Sequence, residues 1–181
     1  MNRDTSEIRI RPYREDDGTP LYEAARESIS SMQPWMPWCH ADYSPEEAQV
    51  WVANNCRQTN PIDFLSFVIE DGDGAFLGGC GLNDHNPRHR LANLGYWLRL
   101  SARGRGVMTR AVRLLRDYAF NNTDLDRLEI VAAVGNLPSQ RVAERVGAVR
   151  EGLLRQALLL NGERYDAILY SILRSDSNPP V

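Results

Sequence analysis

Lysine is missing from the 181-residue chain; all 21 basic side chains are arginine. That absence reads as genome composition rather than mechanism. Cysteine is scarce: Cys39, Cys56 and Cys80 cannot all pair within one chain, and none sit at Cys-x-x-Cys spacing. A disulfide framework and a thiolate zinc site are therefore not expected, and a reducing cytoplasm is the default compartment. The few histidines do not help a metal either, because His40 and His89 have no partner at ligand spacing, so no metal is assigned. Long apolar runs are absent; the longest uncharged stretch near a strand, residues 75–83, falls far short of the ~18 residues that a membrane span needs. The opening Met-Asn-Arg-Asp-Thr leads into no apolar segment, so no secretory signal is expected. Arginines interleaved with exposed aromatics are also lacking, which argues against nucleic acid.

What remains is 43% apolar and 25% charged, the balance of a globular fold rather than a disordered chain. The net charge of −3 conceals an asymmetry. Residues 1–87 hold 15 acids and 6 arginines; residues 88–181 hold 9 acids and 15 arginines. Two readings stand: solvated faces, or one half built for an anionic ligand and the other for a cationic one.

Periodicity organises the chain without a repeat or linker, so residues 1–181 are expected to form a single domain with its core at about 8–173. Ile8 and Ile10 alternate with arginines in a short strand ended by Pro12. Apolar spacing over 16–30 predicts a helix, and Met32-Gln-Pro-Trp35-Met-Pro-Trp38 breaks it into a loop. Ser44-Pro45-Glu46-Glu47 starts a second helix, with Ser as cap, Pro in the first turn and Glu three residues on; it is expected to run to about residue 59. Strands at 64–69 and 75–82 flank the turn Asp71-Gly-Asp-Gly74. A polar loop over 84–90 and a strand over 91–100 follow. The most regular helix places Val107, Ala111, Leu114, Leu115 and Tyr118 on one face. A strand at 128–134, a short helix at 139–146 and an extended 149–160 lead to Asn161-Gly162, a hairpin turn, and a last strand at 165–173. The tail should fray. The fold class is α+β: a largely antiparallel, mixed sheet flanked by helices as an α/β/α sandwich.

Chemistry concentrates in Arg103-Gly104-Arg105-Gly106-Val107-Met108-Thr109, between a strand and the long helix. Amides at a helix start lack partners and favour negative charge. Glycines let backbone approach a phosphate, and arginines add charge. A pyrophosphate or other anion on residues 103–109 is implied, against the plainer reading of a tight turn with solvated arginines. Neither a P-loop nor a dinucleotide fingerprint fits, because their closing residues are missing.

This stretch resembles the acetyl-coenzyme A motif of the GNAT superfamily of N-acetyltransferases, Gln/Arg-x-x-Gly-x-Gly/Ala, through Arg103 and Gly106. The wider pattern is similar to the RimJ/RimL group, which acetylates N-termini of ribosomal proteins. Pro-Trp-Met-Pro-Trp, Leu94-Gly-Tyr-Trp-Leu98, Arg127-Leu-Glu-Ile, Asn136-x-x-Ser139, Glu151-Gly-Leu-Leu-Arg and the final Asn-Gly carry it, over roughly residues 8–173. The resemblance implies a GNAT fold and acetyl-coenzyme A as cosubstrate. It implies a protein N-terminal amine as acceptor. A small amine, such as a polyamine or aminoglycoside, is the rival acceptor. A non-catalytic acyl-coenzyme A sensor is the rival function, and a second copy of the chain is a candidate partner.

The chain departs from that pattern in places. Met108 replaces the last Gly/Ala, and Ala143 stands where many relatives carry a tyrosine that protonates the leaving thiolate. Amine acetylation needs a polarised thioester carbonyl, a stabilised thiolate and a base. Backbone amides near Trp97 and Leu98 are candidates for the carbonyl. Ser139 occupies the place where this group donates a hydroxyl to the thiolate; its other reading is a helix cap. Asn136 is a candidate for the pantetheine amides or an N-cap. Glu129 is the candidate base, read otherwise as a salt bridge or solvated strand residue. Asp84 and His85, after a strand end, are its rivals and candidate acceptor contacts. Trp35 and Trp38 are expected to line the acceptor cleft or to pack the core.

Overall fold

A computed structural model describes residues 7–57 and 65–177. Seven strands, β1 (Ile8–Pro12), β2 (Leu65–Asp71), β3 (Phe76–Asn86), β4 (Leu91–Leu98), β5 (Arg127–Ala133), β6 (Val149–Leu160) and β7 (Glu163–Leu173), form one sheet. Their order is β1-β2-β3-β4-β5-β7-β6, and the only parallel neighbours are β4 and β5. The long helix α4 (Val107–Asn122) and the short α5 (Leu137–Arg145) pack with one core, which takes Phe67 and Ile69 from β2. Helices α1 (Gly18–Arg26), α2 (Ile29–Met32) and α3 (Pro45–Cys56) build the other, which takes Val68. Alternate side chains of one strand thus serve opposite faces, as the pleat requires.

Local chemistry explains most boundaries. The Glu47 amide donates to Ser44 Oγ at 3.2 Å, and the Ser44 amide donates to the Glu47 carboxylate at 2.9 Å, a reciprocal cap for α3. Asn161 and Gly162 both take left-handed conformations, φ 51° and 84°, which a two-residue hairpin of this hand demands. The α4 face facing the sheet is Val107, Met108, Ala111, Val112, Leu115 and Ala119, whereas Leu114 turns outward.

Four expectations need correction. The helix expected over 16–30 is broken. Ser28 lies buried, donates its hydroxyl to the Ala24 carbonyl at 2.7 Å and accepts the Leu100 amide at 2.9 Å, so α1 ends and α2 begins anew. Residues 84–86 belong to β3 rather than to a loop: a bulge puts Asp84 at φ 52°, and pairing resumes at Asn86 with Leu91. The strand expected to reach residue 100 stops at Leu98, and Leu100–Ala102 form a 3-10 turn. The helix expected from residue 139 begins at Leu137, because Asn136 caps it. Within the expected tail, Arg174–Ser177 form a 3-10 turn. Residues 58–59 of the expected second helix, Phe64 of the expected strand and residues 178–181 lie outside the described residues.

Candidate active site

The parallel ladder between β4 and β5 lasts only from Leu91–Arg127 to Asn93–Glu129. Beyond it Leu94–Leu98 and 130–133 line a common cavity of about 430 Å³ instead of pairing. The start of α4 closes one side of this cavity through Arg103, Gly104, Gly106, Val107, Met108 and Thr109; α5 closes another through Asn136, Ser139, Arg141 and Arg145. Gly104 and Gly106 are left-handed, φ 78° and 73°, and a Cβ added to either would meet nothing within 4 Å. The backbone therefore faces open space there. No side chain caps α4, whose first-turn amides stay available. Burial lowers the pKa of Arg103, and no carboxylate counters it. The Val107 and Met108 side chains are buried in the core. Arg105 is exposed and lies outside the lining.

A second cavity of about 450 Å³ opens on the other face, walled by Tyr13, Trp38, Tyr43, Trp51, Trp97 and Leu82. Met36, Gly95, Tyr96 and Trp97 line both cavities, so the two meet across β4. The Trp97 ring stands edge-on to Trp38, with centroids 5.5 Å apart. A Cβ on Gly79 would lie 2.7 Å from Trp97 Nε1 and 3.1 Å from the Tyr13 hydroxyl, so glycine there keeps room for the ring. Cys80 also lines this cavity, and burial pushes its thiol up to about 12.

The Pro-Trp-Met-Pro-Trp loop separates the two spaces. Trp35 lines the β4–β5 cavity and Trp38 the other, so the two tryptophans do not share one cavity. Asn161, at the β6–β7 turn, donates its side-chain amide to the Gln33 carbonyl at 3.1 Å and ties the loop down.

Charge is divided between the cavities in the sense suggested by the sequence. Among the described residues, Arg103, Arg141 and Arg145 line the first, with no acid, and Glu47 lines the second, with no arginine. His40 Nε2 lies 2.9 Å from Glu47 Oε1 on that wall, a pair the sequence did not reveal.

The remaining candidates separate. Asn136 caps α5, its Oδ1 accepting the Ser139 amide at 3.3 Å, so Ser139 is not the cap. The Ser139 side chain instead meets Tyr96, whose hydroxyl lies 3.0 Å from Ser139 Oγ and 3.0 Å from its carbonyl. Burial raises the Tyr96 phenol to about 12, so it is neutral at physiological pH. Glu129 lines neither cavity, and the Arg127 guanidinium holds it at 2.8 Å while reaching Glu151 at 2.6 Å. Asp84 and His85 also lie outside both linings; it is their neighbour Asn83 that reaches the second cavity. Among the described residues no cluster of His, Cys, Asp or Glu could hold a metal, and no helix is long and apolar enough to cross a membrane.

A strand cleft, a glycine-spaced helix start and a second cavity joined through one strand have relatives. The acetyltransferase (GNAT) domain profile matches residues 7–149. The chain belongs to the GNAT acetyltransferase family. It is 39% identical over 104 residues to "Putative ribosomal N-acetyltransferase YdaF" of Bacillus subtilis, a match spanning 58% of this chain and 57% of that protein. It is 28% identical over 164 residues to the ribosomal-protein-serine acetyltransferase of Escherichia coli, 91% of each chain. The solved structure of RimL, a ribosomal L7/L12 alpha-N-protein acetyltransferase in complex with coenzyme A, superposes with a TM-score of 0.84 at 25% identity, covering 93% of this chain and 94% of that one. The GNAT fold thus accounts for the mixed seven-stranded sheet.

Proposed function

We propose that the chain moves an acetyl group from acetyl-coenzyme A to the N-terminal amine of a protein or peptide, directly and without an acyl-enzyme. The observation that carries this reading is the pair of oppositely charged cavities meeting at Gly95–Tyr96–Trp97. The arginine-lined cavity suits a pyrophosphate, with Gly104 and Gly106 letting the first turn of α4 approach it. The acidic, aromatic cavity suits an alkylammonium, which Glu47 attracts and the rings of Trp38 and Trp97 accommodate. The names of the relatives, ribosomal-protein acetyltransferases, support a protein acceptor.

Acetyl-coenzyme A supplies the activated acyl group. Amides of β4 beyond Asn93, released from the β5 ladder, are placed to polarise a carbonyl in the cleft. Ser139, freed from capping duty, donates its hydroxyl to the sulfur as negative charge develops there. On the acceptor side, His40 with Glu47 is the titratable pair able to take the amine proton, directly or through water.

Coenzyme A tests the first half. At ~100 times its dissociation constant it should add ~2.7 kcal/mol to stability and raise the Tm. Gly106→Val should remove that rise by blocking backbone approach. Mass spectrometry of peptides incubated with acetyl-coenzyme A tests the second half, with a gain of one acetyl group at the N-terminus expected. A Tm indifferent to millimolar coenzyme A would overturn the reading.

A further inference from the structure

Ala143 is fully buried, and α5 carries no tyrosine. A phenol is nevertheless present, delivered from β4. Tyr96 lines both cavities, and its hydroxyl reaches Ser139 across 43 positions of sequence. We propose that Tyr96 is a positioning residue that aims the Ser139 hydroxyl proton at the leaving sulfur, a role that rests on Ser139 being the thiolate donor.

Tyr96 carries one hydroxyl proton and faces two acceptors, the carbonyl and the Oγ of Ser139, each at 3.0 Å. If that proton goes to the carbonyl, the Ser139 hydroxyl can donate back to the phenol oxygen, and nothing is left for sulfur. If it goes to Oγ, the Ser139 proton must point elsewhere. The carbonyl at this position of α5 also has the amide four residues on as its helical partner, so giving up the phenol does not orphan it. The energy difference between the two arrangements is small, and an anionic sulfur in the cleft selects the second.

Burial of Tyr96 sharpens the choice. The phenol stays protonated through the physiological range, so it is always a donor and never a competing anion. No proton leaves Tyr96. In the reaction the C–N bond forms and the C–S bond breaks. The sulfur keeps the C–S electron pair and is held by the Ser139 hydrogen bond. The proton shed by the amine passes to the His40–Glu47 pair, directly or through water, and from there to solvent; the thiolate regains one from solvent.

The test is a double-mutant cycle on the intact chain, with Tyr96→Phe, Ser139→Ala and the pair. Phe preserves the ring that packs against the core and deletes the hydroxyl. Tyr96→Phe should lower kcat roughly ten- to hundredfold, the worth of one hydrogen bond to a charged group. KM for acetyl-coenzyme A and the coenzyme A-induced Tm rise should stay unchanged. In the Ser139→Ala background the same substitution should cost less than twofold, because the hydroxyl that Tyr96 orients is gone and only its bond to the backbone carbonyl remains. Full activity in Tyr96→Phe beside a slow Ser139→Ala overturns the positioning role alone. Full activity in Ser139→Ala overturns the thiolate donor, and the role of Tyr96 with it. Additive losses, or a Tyr96→Phe defect confined to KM and Tm, assign Tyr96 to packing.

Discussion

Glu27 and Arg99, 72 residues apart, meet through two hydrogen bonds of 3.1 and 2.6 Å between carboxylate and guanidinium. The same carboxylate accepts the Ser101 amide at 3.0 Å and the Ser101 hydroxyl at 2.8 Å. One side chain at the end of α1 therefore fixes the turn that follows β4, and with it the approach to the glycine-spaced start of α4. Arg99 also donates to the Phe76 carbonyl, so the clamp reaches β3.

That clamp makes stability acid-sensitive in a defined window. Hydrogen bonding to Arg99 draws the Glu27 carboxyl down to about 2, against an ordinary 4.5. A depressed native pKa stabilises the fold above the unfolded value and loses that contribution as pH falls through the native one. Stability should therefore drop between about pH 4.5 and 2, by on the order of 2 kcal/mol from this group after allowance for partial exposure. Glu27→Gln should lower the denaturation midpoint at pH 7 and flatten the acid limb over that window. Parallel pH profiles for the two proteins would show that the clamp contributes nothing.

Gly79 sets the width of the cavity proposed for the acceptor. Because an added Cβ would lie 2.7 Å from Trp97 Nε1, Gly79→Ala should displace the ring, with an overpacking cost of about 1–3 kcal/mol. The expected result is a lower Tm and a several-fold higher KM for the amine. Acetyl-coenzyme A affinity, set mainly by α4 and α5, should change much less. Initial rates across a matrix of both substrates separate the two effects.

The division of charge predicts salt sensitivity. With Glu47 at the acceptor cavity and 15 acids in residues 1–87, a cationic peptide is drawn in over distances screened beyond ~8 Å at physiological salt. Its kcat/KM should fall several-fold as salt rises, while a neutral peptide of equal length should change much less. Glu47→Gln retains a side chain able to complete the α3 cap and removes the charge, so it should flatten the cationic curve. Parallel curves for the two peptides would mean that the acids only solvate the surface.

Much of this molecule was legible where the signal is local. The α3 cap, the Asn161-Gly162 turn and the glycine-spaced start of α4 each lie within a few residues, and each is found where the pattern put it. What escaped depends on partners far along the chain. Nothing near Ser28 announces a hydroxyl pulled toward Leu100, and nothing near Tyr96 announces Ser139. Glu129 is different: alternation puts Arg127 on its own face two residues away, so the salt-bridge reading was open from the sequence and the rotamers chose it. Trp35 and Trp38, three residues apart, diverge because a proline-broken loop has no helical face to keep them together.

The partition built by residues 34–38 has a kinetic meaning. Each cavity opens to solvent, and the two touch only along the short stretch of β4 and Met36. Both substrates can be resident at once, and either can exchange while the other stays. With one substrate in each cavity, as proposed, the layout predicts a ternary complex with intersecting initial-velocity lines rather than the parallel lines of a ping-pong scheme. Burial keeps the Cys80 thiol protonated at physiological pH, which disfavours it as a covalent relay between the chambers. Coenzyme A can thus depart from its own side before the acetylated chain end has withdrawn from the other.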